Sequence, residues 1–388
     1  MRSLLLLAAI AAAASAKGRQ HQDEVNPRAP DQPLEISFLD YYCPTCVREE
    51  RIAPPEKKPD VRLMRMPVAK LAKDLGLKER DRGKKWFVIQ TPDFKILSNL
   101  KGAKVKPGDS TFITFDLRRL KKIFPKLTIG LQGTVLRPHQ RAHLYHIRFA
   151  RVYAHFKALT GNKEKWFGME APYECYLFDE YAEHHRLCDV YVGRTNDKAG
   201  VQHHMREKPN YMMFTTADRM VAGGDRTFSN HVIHHLAHNL ADGFGNYYRE
   251  TPAWLEEGLA HYYERRETPK DNTFCWTEGK SPTDFQKPNW RSTILALVRR
   301  GKDLPLGQWC EKEQPGALSG TEQGLSWSIV EWMIRTDPVR LAKVLQETQD
   351  YTKKPTAAEV LHRAFGITPN TLHERWRKYV KTEYAKKK

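Results

Sequence analysis

Four histidines fall at positions 231, 234, 235 and 238, inside a run of small and apolar residues. On a helical wheel at about 100° per residue they share an arc of about 100°. Val232, Ile233, Leu236 and Leu240 take the opposite side. This pattern predicts one helix with an apolar back in the core and a histidine stripe facing a cleft, with Gly243 as its stop. A metal held on a helix needs two imidazoles one turn apart. His234 and His238 meet that need, and so do His231 and His235. Thr251-Pro252 predicts the start of a second helix, with Thr251 as N-cap and Pro252 at its first position. That helix carries Glu257, and eighteen residues separate His238 from it. A carboxylate there can complete a His, His, Glu set with one position left open for water.

His234-His235-Leu236-Ala237-His238, the eighteen-residue gap and Trp254-Leu255-Glu256-Glu257-Gly258-Leu259-Ala260 together resemble the gluzincin metallopeptidases. The likeness is to aminopeptidase-type and peptidase MA-like members, whose pattern is H-E-x-x-H, eighteen residues, then the Glu of W-L-x-E-G-hydrophobic-A. The resemblance implies that His234, His238 and Glu257 are ligands of a zinc ion. It implies an α+β, zincin-type fold: a small mixed sheet with the active-site helix, followed by a helical C-terminal lobe. It also implies that an edge strand before the histidine helix, near 211–215, lines the cleft and can pair with an extended peptide.

Three positions depart from the family pattern. The family's general base is the Glu after the first His, and His235 stands there. An imidazole titrates near neutral pH and can relay a proton. Beside a divalent cation its charged form is disfavoured, and it lacks the negative charge that polarises water. Relatives also often place an acid one turn after the ligand Glu, to receive the N–H of a ligating His. Here that residue is His261, which with His231 is expected to back the ligands. Active relatives usually carry a Tyr on a later helix for the oxyanion. The corresponding place is near Gln323, where no Tyr occurs; Tyr262 and Tyr263 read as packing.

Residues 1–16 read as a secretory signal: Arg2, an apolar run 4–14, then Ala14-Ser15-Ala16. The run is too short to anchor in a membrane, and no later stretch is long enough to span one. The expected location is therefore exported, periplasmic or secreted. A formal charge of +18 favours acidic polymers or surfaces. Nothing resembles a nucleic-acid module. The six cysteines stand at 43, 46, 175, 188, 275 and 310. Cys43-Pro44-Thr45-Cys46 can be a redox pair, half of a zinc site or a local disulfide, and a structural staple is the expectation. Cys175 and Cys188 are close enough in sequence to bridge.

Three regions are expected: the signal 1–16, a polar segment 17–84 around the C-x-x-C pair, and a peptidase MA-like domain 85–388. Within the last, sheet and metal helix occupy 85–266 and the helical lobe 290–384. Residues 86–89 and 94–97 predict a hairpin across Thr91-Pro92-Asp93, and 101–107 a loop. Strands are expected at 112–115, 174–178, 189–192 and 211–215. A helix is expected at 138–159. It carries His139, His143 and His146, read as packed or solvated because no carboxylate or Cys joins them at ligand spacing. In the lobe, helices start at Asp337-Pro338 and Thr368-Pro369, and another ends at Gly366.

Three functions fit. The first is a zinc-binding, catalytically impaired peptidase homologue, or pseudoenzyme, with a peptide or polymer in its cleft. The second is an active zinc hydrolase using His235 as base. The third is a scaffold without metal.

Overall fold

A computed structural model describes residues 41–50, 86–105, 107–130, 133–161, 172–192, 200–203, 211–216, 224–245, 251–269, 272–274, 285, 288–313, 315–348 and 355–386. The expected signal 1–16 and most of the segment 17–84 lie outside them. The architecture is mixed α and β, mostly helical with a small mixed sheet.

Strands β1 (Phe87–Gln90) and β2 (Phe94–Ser98) form the expected hairpin, with Phe87 opposite Ser98. Thr91 sets the turn: its Oγ1 accepts from the Asp93 and Phe94 amides at 3.2 and 2.8 Å. β3 (Ala103–Val105) and β4 (Thr134–Leu136) pair as a separate ribbon, so 101–107 is not wholly a loop. β5 (Tyr173–Phe178) lies parallel to β2, and β7 (Tyr211–Thr215) parallel to β5. β6 (Gly200–His203) closes the sheet antiparallel to β7, giving the order β1-β2-β5-β7-β6. Residues 211–215 are therefore an interior strand, and the edge before the histidine helix is β6. Across β2 and β5 a buried ion pair joins Lys95 Nζ to Glu174 Oε1 at 3.1 Å.

Two expected strands are helical. Residues 112–115 lie in α1 (Pro107–Ile123). A helix once begun gains a hydrogen bond with each added residue, and Leu117 and Leu120 continue its buried face. Residues 189–192 finish α3 (Tyr181–Val192), where Leu187 and Cys188 are buried. A four-residue apolar run does not tell strand from helix. Between these lies α2 (Pro138–Thr160), with Pro138 in its first turn and Gly161 left-handed at φ 64° after its end.

The histidine helix α4 (Asp225–Phe244) passes Gly243 and is capped by Gly245. The carboxylate helix α5 (Ala253–Glu267) starts one residue later than expected, with Pro252 as N-cap. Beyond it come α6 (Trp290–Arg299), α7 (Gly320–Thr336), α8 (Pro338–Glu347), α9 (Ala357–Phe365) and α10 (Pro369–Glu383). Asp337, Thr356 and Thr368 cap α8, α9 and α10 through their side chains. Trp254, Trp290, Trp309 and Trp376 are fully buried in one continuous core.

Four helices are tied together behind the site by arginines. Arg148 of α2 donates from Nε to Asp116 of α1 at 3.2 Å and from Nη1 to Ser229 of α4. Arg151 donates to Asp116 and, from Nε at 3.2 Å, to Glu267 at the end of α5. Burial favours a neutral Asp116 carboxyl, but Arg151 and Arg148 outweigh it and hold the group below its ordinary range. Among the described cysteines none is bridged: Cys175 and Cys188 are separate, buried thiols.

Candidate metal centre

The histidine stripe meets the carboxylate helix at one buried point. His234 and His238, one turn apart on α4, bring their Nε2 atoms within 2.9 Å of each other. Glu257 of α5 faces both: its Oε2 lies 3.6 Å from His234 Nε2 and its Oε1 3.3 Å from His238 Nε2. The three donor atoms fall inside 4.8 Å. A tetrahedral ion with bonds of about 2.0–2.1 Å sets its nitrogen and oxygen ligands roughly 3.3–3.4 Å apart. The spacing therefore fits one ion.

Gly258, next to Glu257, allows this approach of helices. A Cβ there would meet Val330 Cγ2 at 2.5 Å and the Ser326 carbonyl oxygen at 2.8 Å, both on α7. Only hydrogen at this position lets α5 lie so near α7.

Glu257 is fully buried, yet neither of its oxygens accepts a hydrogen bond among the described residues. A buried carboxylate in that condition is costly unless a cation faces it. Burial acts to raise its carboxyl, but His238, His234 and His261 outweigh that and keep it below the usual range. Among the described residues, Glu257 and Glu264 pair with histidines and with no Lys or Arg.

Each inward-facing ring has a carboxylate at its other nitrogen. His234 Nδ1 lies 3.4 Å from Glu264 Oε2, and His238 Nδ1 contacts Glu256 Oε1. Such a partner fixes a ligating imidazole's tautomer and turns its free nitrogen inward. Glu264 also accepts from the Thr273 amide at 3.0 Å and from His261 Nδ1 at 2.6 Å. Burial pushes the Glu264 carboxyl up, but His234 and His261 bring it down to about 2. Burial also lowers His234, with Glu264 acting against it.

The other sequence candidates take separate places. His235 is half-buried and turns toward Phe214 of β7, with ring centroids 5.7 Å apart. Its ring stands 5.6 Å from that of His234 and 5.9 Å from that of His238. His231 packs on His235 and Phe214, and burial lowers it to about 3. His261 sits beside the set, 3.6 Å from Glu257 Oε2, but its nitrogens face Glu264 and, at 3.2 Å, Gln323 Oε1. Gln323 thus stands beside His261. Tyr263 is engaged elsewhere, its hydroxyl 2.9 Å from His155 Nδ1.

Sequence reasoning missed Glu256 and Glu264 as partners of the rings. Spacing from His238 or His261 was the signal available. His139 and His143 are packed histidines, buried among aromatic rings, but Cys43 and Cys46, which sequence spacing did not join to them, converge on them in a buried group that could hold a metal ion. His146 stays outside that group.

Compared with known proteins, the chain matches no family model, no curated protein and no solved structure.

Proposed function

We propose that this chain is an exported, gluzincin-type zinc metallopeptidase homologue. In this reading His234 Nε2, His238 Nε2 and Glu257 hold one zinc ion, and a peptide or polymer strand binds in the cleft beside them. The observation that carries it is the buried Glu257 carboxylate, without a hydrogen bond on either oxygen, facing two imidazole nitrogens that are braced from behind. Two nitrogens and one carboxylate suit zinc. Bound there, zinc supplies Lewis acidity toward a carbonyl and acidifies water. The +18 charge favours an acidic substrate or surface. Among the described residues β6 is an edge strand of the sheet, the kind of position where an extended strand can add backbone hydrogen bonds. No helix among the described residues is long and apolar enough to cross a membrane.

The chain's own residues favour binding over turnover. His235 occupies the general-base position but brings no negative charge to orient a water. It leans on Phe214 instead. No tyrosine takes the Gln323 position. The expected activity is therefore weak or none.

Zinc content of the full chain and cleavage of a broad peptide library test this together. His238→Ala should lose one equivalent of zinc, and full retention would reject the ligand set. His235→Glu should raise peptide cleavage over wild type. If zinc is bound and that variant gains nothing, the missing carboxylate is not what limits turnover. Cleavage by the wild type, lost on chelation and restored by zinc, would favour an active hydrolase that uses His235 to hold and move the proton.

A further inference from the structure

A second cluster lies at the start of α2, away from the histidine stripe. Cys43 and Cys46 come from the segment 41–50, and His139 and His143 from the first turns of α2. All four side chains are buried, at 1, 1, 6 and 0% exposure. His139 Nε2 lies 3.0 Å from Cys43 Sγ and 3.5 Å from Cys46 Sγ. His143 Nε2 lies 3.2 Å from Cys46 Sγ and 3.2 Å from His139 Nε2. Around a tetrahedral zinc, with Zn–S about 2.3 Å and Zn–N about 2.0 Å, sulfur and nitrogen stand roughly 3.5 Å apart and two nitrogens roughly 3.3 Å. The four measured separations lie at or somewhat below those edges, and all four atoms fall within 4.8 Å of one another, close enough to share one ion.

Each element explains its share of the geometry. Histidines four apart on a helix point the same way. The Val47 amide donates to the Cys43 carbonyl at 3.1 Å, folding the chain so that both thiols face one side. The walls are aromatic. Phe87 stacks on His139 at 5.4 Å, Phe124 meets both rings edge-on, and Tyr41 covers His143 at 4.8 Å. The Tyr41 hydroxyl points to Cys46 Sγ at 3.8 Å.

We infer that Cys43, Cys46, His139 and His143 form a closed structural zinc site that fastens the segment 41–50 to the domain. Four protein ligands leave no position for water, and two soft thiolates with two imidazoles select zinc over hard cations. The fastened segment also covers a sheet edge. Tyr42 and Gln90 exchange backbone hydrogen bonds of 2.7 and 2.9 Å, extending the outer side of β1. The inference does not depend on the reading of His234, His238 and Glu257.

The test uses the full chain, expressed with zinc and purified without chelator. His238→Ala should keep one zinc ion, and Cys43→Ser with Cys46→Ser should carry one ion fewer than wild type, whatever the His234 centre holds. In cobalt-loaded protein a thiolate-to-cobalt charge-transfer band should appear in wild type and in His238→Ala, and vanish in the double cysteine variant. The His234 centre contains no sulfur, so this band reports only on the cysteine site. Cys43 and Cys46 should also become open to alkylation only after chelation. The proposal is overturned by a Cys43–Cys46 disulfide in the purified protein. It is equally overturned by the absence of a cobalt–thiolate band in wild type, or by zinc content unchanged in the double variant. Should the double variant fail to fold, the wild-type band and alkylation pattern decide.

Discussion

Glu264 stands behind His234, a ligand in the proposed zinc reading. It meets His234 Nδ1 and His261 Nδ1 and is itself fixed by the Thr273 amide. Replacing it by Gln keeps the shape but weakens its grip on the imidazole. Glu264→Gln is therefore expected to lower zinc affinity at the His234 centre by about 10–100-fold, with the fold retained. Competition against a chelator of known affinity measures this; an unchanged affinity would remove Glu264 from the account. The sequence made His234, His238 and Glu257 legible because one-turn spacing and a fixed gap are local signals. It did not make Glu264 legible. The resemblance places the acid one turn after Glu257, where His261 stands, and the residue that meets His234 comes from the following turn.

At the level of elements, the crossing of α5 and α7 sets where Glu257 sits. Gly258→Ala gains about 1 kcal/mol of helix propensity, but its methyl would press on Val330 and the Ser326 carbonyl. Overpacking of this kind costs roughly 1–3 kcal/mol. The expected net result is a loss of up to about 2 kcal/mol and a lower Tm, with weaker binding of the proposed zinc as Glu257 shifts. Thermal unfolding reads the first effect. A variant as stable as wild type would mean that the helices move apart freely. Helices with strong ends were readable here: Pro138, Asp337-Pro338, Thr368-Pro369 and Gly366 each mark a boundary found in the fold. Short apolar runs inside helices were not, as at 112–115 and 189–192. Nor could spacing reveal that Cys43 and Cys46 approach His139 and His143, because those pairs lie more than ninety positions apart and only tertiary packing joins them.

Across the molecule, Asp116, Arg148, Arg151 and Glu267 hold α1, α2 and α5 together, and Arg148 adds α4 through Ser229. Asp116→Asn leaves the buried Arg148 and the half-buried Arg151 with Glu267 as their remaining ion-pair partner, and breaking a buried ion pair costs about 3–5 kcal/mol. Because the Asp116 carboxyl is held below its ordinary value of 3.8, the stability it contributes is complete above that value. That stability is lost as pH falls toward the lower, folded value. Denaturant unfolding should show a large gap between wild type and Asp116→Asn at neutral pH, narrowing below pH ~4. A gap independent of pH would assign the effect to shape instead of charge. The same four residues bear on transplantation. Arg148 grips the helix of His234, and Arg151 grips the residue three beyond Glu264. The two helices that bear the rings and the carboxylate, lifted alone into another scaffold, would lose the brace that sets their separation. The smallest portable unit therefore includes α1 and α2, although neither lends a ligand to that centre.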